Sequence, residues 1–248
     1  DTVEALVGRA AAALQTNLRT LVTKDGSVLG RPGSKVSLAE CDLQEDTVLT
    51  GIVGHAGPQV FSGKFAFVAI RPDGEVVSWG RPEHGGDCSH VREQLAGRVQ
   101  QVFCKHSAFA ALLNDGAVVT WGNQPYGGDS SAVRTQLSSG VKDIACSDGA
   151  FAALKDGGAV VTWGHRDYGG DSTEWEARLS SGVSQVYANY DAFSALCADG
   201  SVVSWGNQYH GGDSTALRMQ LSTGVRRVFS THRAFAAVKV DGSVVAWG

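Results

Sequence analysis

The residues best equipped for chemistry in this chain return at a fixed interval. His84 and His210 occupy one position of a repeated text and His106 and His232 another, with three units between the members of each pair. Asp87, Asp129, Asp171 and Asp213 recur every 42 residues, one per unit. Acid–base catalysis or a shared metal needs two or more such groups within a few ångströms. One group per unit holds them apart. Each of these aspartates follows Gly-Gly, a context that suits the capping of a turn. No Ser/His/Asp order, no glycine-rich strand-to-helix phosphate loop and no C-x-x-C stands out. We expect no catalytic residue, no metal and no cofactor.

The text that carries these residues is Ala108–Gly122, AFAALLNDGAVVTWG, which returns as Ala66–Gly80, Ala150–Gly164, Ala192–Gly206 and Ala234–Gly248. Trp79, Trp121, Trp163, Trp205 and Trp247 therefore stand 42 residues apart. A period of this size means a repeat architecture. Val141–Ser147 reads as a first strand, β-branched and apolar. Ala150–Leu154 is apolar without alternation, which predicts burial on both faces. Most copies then place an Asp-Gly hairpin turn (Asp73-Gly74, Asp115-Gly116, Asp199-Gly200, Asp241-Gly242) before a Val-Val, Trp-Gly strand. Each unit is thus a three-stranded antiparallel sheet that cannot bury two apolar faces alone, so neighbours must stack. The alanines of AFAA favour radial stacking, with small residues crowded near an axis and Trp further out. The five Trp read as a structural ladder. Between sheets, Gly127-Gly128-Asp129-Ser130 opens an arm in which Asp129 and Ser130 suit an N-cap, and Val133 and Leu137 share one face of a short helical turn.

Trp-Gly, a loop, a Gly-rich turn and a strand pair with a D-G hairpin resemble the RCC1-type repeat, well over residues 58–248 and poorly over 1–57. The 42-residue spacing is similar to the short WG…GGDS form of that repeat. The resemblance implies an all-β, RCC1-like β-propeller, usually of seven blades; the sequence itself shows one weak and five strong units, about six. The Trp-Asp signature of WD40 repeats is absent.

Bulk properties agree with a single repeat domain. The 32 glycines and a formal net charge of −4 suit a turn-rich all-β protein. The absence of a basic run argues against nucleic acid as partner, and no apolar run is long enough to insert in a membrane. Five cysteines, an odd number, make no disulfide framework. Cys104 and Cys146 share a slot with Ala188 and Ser230, which marks a small-residue packing position. The chain begins at Asp1, which we read as processed, trimmed or partial, with an organelle as one expected location.

In chain order, residues 1–17 read either as a helix, from Val3, Leu6, Val7, Ala10 and Leu14, or as the end of an arm, since VEALVGR echoes Val91–Arg98. Residues 18–57 hold a degenerate first repeat, Leu18–Gly26 with Ser27–Leu29, and a linker, Pro32–Gly57. Regular units fill 58–248. Connectivity puts the turns after each first strand on one face with the loops after Trp-Gly, and the D-G hairpins on the other. The first face is where the copies differ most. Its candidate binding residues are His84, His106, Tyr126, His165, Arg166, Tyr168, Tyr190, Tyr209, His210, His232 and Arg233, types suited to recognition. Trp175 replaces a Val133-type residue in its arm, as larger packing or as an exposed anchor. The expected function is a non-catalytic protein–protein interaction or scaffold module, with another protein or a multi-subunit complex as partner. The alternatives are a guanine-nucleotide exchange factor-like regulator of a small GTPase, as the family resemblance implies, and a ligand- or sugar-binding propeller.

Overall fold

The computed structural model describes residues 18–22, 50–53 and 57–248. It divides into two compact units, Asp1–Gly57 and Pro58–Gly248. In the first unit β1 (Leu18–Val22) pairs antiparallel with β2 (Thr50–Val53). The expected partner, Ser27–Leu29, lies outside the described residues, as do the helix-or-arm segment 1–17 and most of the Pro32–Gly57 linker. Thr50–Val53 (TGIV) has the β-branched content of a strand in its own right.

The second unit is five three-stranded antiparallel sheets in sequence. Sheet 1 is β3 (Gln59–Ser62), β4 (Ala66–Ile70) and β5 (Val76–Gly80). Sheet 2 is β6 (Val99–Cys104), β7 (Ala108–Leu113) and β8 (Val118–Gly122). Sheet 3 is β9 (Val141–Cys146), β10 (Ala150–Lys155) and β11 (Val160–Gly164). Sheet 4 is β12 (Val183–Ala188), β13 (Ala192–Cys197) and β14 (Val202–Gly206), and sheet 5 is β15 (Val225–Ser230), β16 (Phe235–Lys239) and β17 (Val244–Trp247). In each sheet the strand rich in alanine is central, buried along its whole length in sheets 2 and 4.

The sheets fan about their first strands, which lie against one another from sheet to sheet. Lys105, in the turn after β6, shows how sharp the curve is. Its Nζ donates to the carbonyl of Asn189, two sheets further on, at 2.8 Å. Stacked sheets lie ~10 Å apart, so in a straight stack that carbonyl would be ~20 Å away, beyond the reach of a lysine. The first strand, not the alanine strand, therefore occupies the inner edge. The alanines have another physical reason. Ala108, Ala110 and Leu112 project from one face of β7 into the cluster that holds Phe151 and Trp163, while Phe109, Ala111 and Leu113 project from the other. Small side chains on one sheet thus receive the aromatic plates of the next, which satisfies close packing.

Trp121, Trp163, Trp205 and Trp247 each stack on the Phe of their own central strand, at 5.2–5.7 Å between ring centroids. Each indole Nε1 also donates to a carbonyl of the preceding unit: Gly85 at 3.2 Å, Gly127 at 3.1 Å, Gly169 at 3.1 Å and Gly211 at 3.0 Å. These glycines have positive φ, and at Gly127 a Cβ would fall 2.5 Å from the Phe151 ring. The Gly-Gly-Asp turn is therefore half of an inter-sheet lock whose other half is Phe and Trp. Trp79 departs from the ladder. It stacks on Phe67 at 5.5 Å but stays 45% exposed. At the other end of the stack, Phe229 and Val244 on the outer face of sheet 5 are also exposed.

The arms are short 3-10 turns, extended in two of them by single α-turns, α1 (Arg92–Leu95) and α2 (Glu176–Leu179). The cap is the aspartate rather than the serine. Asp129 Oδ1 accepts from the Ser131 N–H at 2.8 Å, while the Ser130 hydroxyl pairs with Thr120 Oγ1 at 2.9 Å. Asp87, Asp171 and Asp213 repeat the turn. Leu137 is buried beneath its arm and Val133 half-buried.

Candidate functional site

The turns after the first strands and the loops after Trp-Gly converge on one face, as the connectivity requires. The turns are tied into a ladder by their backbones. Lys64 N–H donates to His106 O at 2.8 Å, Asp148 N–H to Tyr190 O at 2.9 Å and Tyr190 N–H to His232 O at 3.1 Å. These five residues fill one repeat slot, so a recurring backbone turn presents four different residue types, His appearing twice.

On this ladder stands an arc of rings. Phe65 contacts His84 at 4.6 Å and His106 at 5.3 Å between centroids. His106 leads to Tyr126 at 6.2 Å, and Tyr126 to His165 and Tyr168 at 5.5 and 5.7 Å. Arg81 lies over the Phe65 ring at 5.0 Å, a cation–π distance. A second group sits beside the first. Tyr190 packs on His232 at 4.3 Å, and Lys105 Nζ lies 6.0 Å from the Tyr190 ring and 3.9 Å from Asp148 Oδ1.

The slot pairs that meet here compensate in size and charge. The loop residues His84, Tyr168 and His210 meet the turn residues Phe65, Gly149 and Asp191 of their own sheets. Gly149 leaves room for two tyrosines, since a Cβ there would fall 2.8 Å from Tyr168 and 2.9 Å from Tyr126. His210 instead pairs through Nδ1 with the carboxylate of buried Asp191. The Asn189 amide donates to the His210 carbonyl at 2.6 Å, fixing the loop to the turn.

The electrostatics follow from this crowding. Burial, then the positive charge of Lys64, holds the His106 imidazole below its ordinary pKa. The Tyr190 phenol is pushed up by its hydrogen bond to Asp148 and then by that carboxylate's charge. Burial, then Tyr126, does the same to Tyr168. Phenols held protonated are donors and apolar plates rather than nucleophiles.

Of the residues expected from sequence, His84, His106, Tyr126, His165 and Tyr168 belong to the arc, and Tyr190 and His232 to the neighbouring group. His210 is engaged with Asp191. Tyr209 stands apart: it occupies the slot of Pro125 and Asp167, not that of Tyr126, and is 77% exposed. Arg166 points toward the outer rim, with Nε 3.6 Å from Asp171 Oδ2, and Arg233 is exposed. Phe65, Lys105, Asp148, Asn189 and Asp191 also contribute to this face and are missing from that set. Their signal was positional, each lying in a slot that varies from copy to copy. Among the described residues, no group of three or more His, Cys, Asp or Glu is placed to hold a metal, and no helix is long and apolar enough to cross a membrane.

No family model and no curated protein sequence matches this chain. Solved structures do. Human WBSCR16 superimposes with a TM-score of 0.52 at 17% identity, covering 91% of this chain and 67% of that one. Prp20p from Saccharomyces cerevisiae, studied for its binding to Gsp1p and histones, gives 0.48 at 16% identity, covering 76% of this chain. Yeast RCC1 (Prp20) bound to Kap60 gives 0.46 at 17% identity. The chain spans 56% of the Prp20p structure. The fold of residues 58–248 is that of an RCC1-like β-propeller, built of three-stranded blades.

Proposed function

We propose that this chain is a non-catalytic interaction module that holds a protein partner on the face carrying the aromatic arc. The arc itself supports the reading. Rings from three successive sheets form one continuous surface with cations at its margin, the composition in which binding hot spots concentrate. The opposite face offers the hairpin tips, closed by their own Asp side chains, as where Asp115 Oδ1 accepts from the Ala117 N–H. Exchange on a GTPase is less well supported. A wedge to open a nucleotide site would need a longer loop, and the Trp spacings of 42 leave none between sheets.

The test compares two faces. Capture from cell extract is run with the native chain, with Tyr126→Ser/Tyr168→Ser and with Val240→Ser on the hairpin side, each checked for an unchanged melting curve. The expected result is a defined partner retained by Val240→Ser and lost with the tyrosine pair. A partner lost from the hairpin side and kept by the tyrosine variant overturns the proposal, as does the absence of any partner.

A further inference from the structure

The groove between the arms that follow sheets 3 and 4 carries a feature found in no other arm among the described residues. Its residue 175 is Trp, where the equivalent slots hold Val91, Val133 and Leu217. The indole is half-buried against the blade 4 core, among Leu179, Val203 and Trp205. Its remaining surface divides two adjoining cavities, one of about 320 Å³ and one of about 380 Å³, which also share Thr215. Both volumes fall within the range of sites for small molecules, about 300–1,000 Å³.

The lining around this aromatic wall is polar. Asp171, Glu174, Asp213 and Arg166 line the first cavity. Asp199, Arg178 and Arg218 line the second. The first cavity thus sets three carboxylates against one guanidinium group and the second one carboxylate against two, so each side offers both charged acceptors and charged donors. Several of these groups are also fixed in advance. Asp213 Oδ1 accepts from the Thr215 N–H at 2.8 Å and Asp199 Oδ1 from the Ser201 N–H at 2.9 Å. Arg178 Nη2 donates to Ser201 Oγ at 2.6 Å. Their second carboxylate oxygens remain available as acceptors. Held in place, such groups lose little freedom when a ligand binds.

A flat apolar wall, flanked on both sides by fixed acceptors and donors, matches one ligand chemistry well. A pyranose ring has an apolar C–H face that packs on an indole and a rim of neutral hydroxyls that both donate and accept. We propose that the Trp175 groove binds a short neutral oligosaccharide, with one ring on the indole and its neighbours in the two cavities. This site lies on the outer rim and stands independently of the protein-binding face.

The purified chain is titrated with maltotriose, cellotriose, xylotriose, mannotriose and chitotriose, followed by calorimetry and by tryptophan fluorescence. At least one class should bind. Trp175→Val, which restores the residue of the Val133 slot, should weaken that binding at least about tenfold, the loss of about 1.4 kcal/mol. Its melting curve should stay close to native, and Asp213→Asn should bind less tightly while Tyr126→Ser binds normally. If none of the five sugars binds, or if Trp175→Val binds as well as the native chain, the proposal is wrong. Loss of the protein partner in Trp175→Val, without any sugar binding, would make Trp175 a protein anchor and also overturn it.

Discussion

Substitution of the repeated tryptophans offers the sharpest test of how the blades hold together. Trp163 is 4% exposed, stacks on Phe151 at 5.2 Å and donates to Gly127 O at 3.1 Å. Trp163→Ala removes a buried aromatic side chain and should cost about 3–5 kcal/mol. Trp163→Phe keeps the plate but leaves the Gly127 carbonyl without its donor in a dry interface, at about 1–3 kcal/mol. Trp121→Ala and Trp205→Ala should match Trp163→Ala, since the same lock recurs. Trp79, at 45% exposed, is the internal control. With half of roughly 200 Å² buried, its truncation should cost about 2.5 kcal/mol. Urea unfolding followed by far-UV circular dichroism reads all five variants without relying on tryptophan emission. In a repeat stack each loss should act mainly at one interface, so a lower cooperativity of the transition is expected beside the lower midpoint. Equal costs for Trp79→Ala and Trp163→Ala would refute the reasoning, because burial would then not be set by the preceding unit. A neutral Trp163→Phe would show that the indole hydrogen bond contributes nothing.

Three further outcomes follow from the same geometry. Gly149→Ala should displace Tyr126 and Tyr168, since its Cβ would lie under 3 Å from both; partner binding should fall while the melting temperature changes little, and unchanged binding would detach the arc from recognition. Asp129, Asp171 and Asp213 have pKa values lowered mainly by the N–H and hydroxyl bonds they accept, so their contribution is present above the unfolded value of about 3.9 and is lost as pH falls through the folded one. Changing all three to Asn keeps an acceptor but should flatten the loss of stability in acid, measured as melting temperature against pH below about 5. Burial pushes the Cys104 and Cys146 thiols up to about 11, and each donates to the carbonyl of the preceding first strand. Iodoacetamide at pH 8 should therefore label them slowly in the native chain and rapidly in urea, and equal rates would contradict that burial.

The fold was legible because one period imposed the same physics five times. A single AFAAL segment is ambiguous between strand and buried helix, but five copies, each closed by an Asp-Gly or Gly-Gly turn and Trp-Gly, leave one reading. What the pattern hid was the direction of packing. The alanines spoke of crowding, yet nothing local said whether the crowding came from an axis or from the next sheet's Phe and Trp. Only the three-dimensional register shows Ala108 and Ala110 facing the cluster that holds Phe151. The glycines were readable as turns but not as partners. That Gly127 supplies a carbonyl to Trp163, 36 residues on, is a relation between two invariant slots, and invariance carries no information about which slots touch.

The face is legible for the opposite reason. At the slot of Lys64, His106, Asp148, Tyr190 and His232 the backbone makes its ladder bond from Lys64 to His106, from Asp148 to Tyr190 and from Tyr190 to His232, while the side chain changes at each step. Packing does not demand that variety, because the same turn accepts Lys, His, Asp and Tyr. In the next slot the variation is not free either, since it changes in step with the loop residues it meets: Gly149 opens where Tyr126 and Tyr168 press in, and Asp191 appears where His210 has a partner. A surface shaped only by solvation would have no cause to keep such pairs matched. Side chains that pack on one another at a turn lose rotamer freedom before any partner arrives, which lowers the entropy still to be lost on binding. The repeat thus provides a rigid frame, and its departures from itself provide a preorganised surface, which is the combination that a recognition module requires.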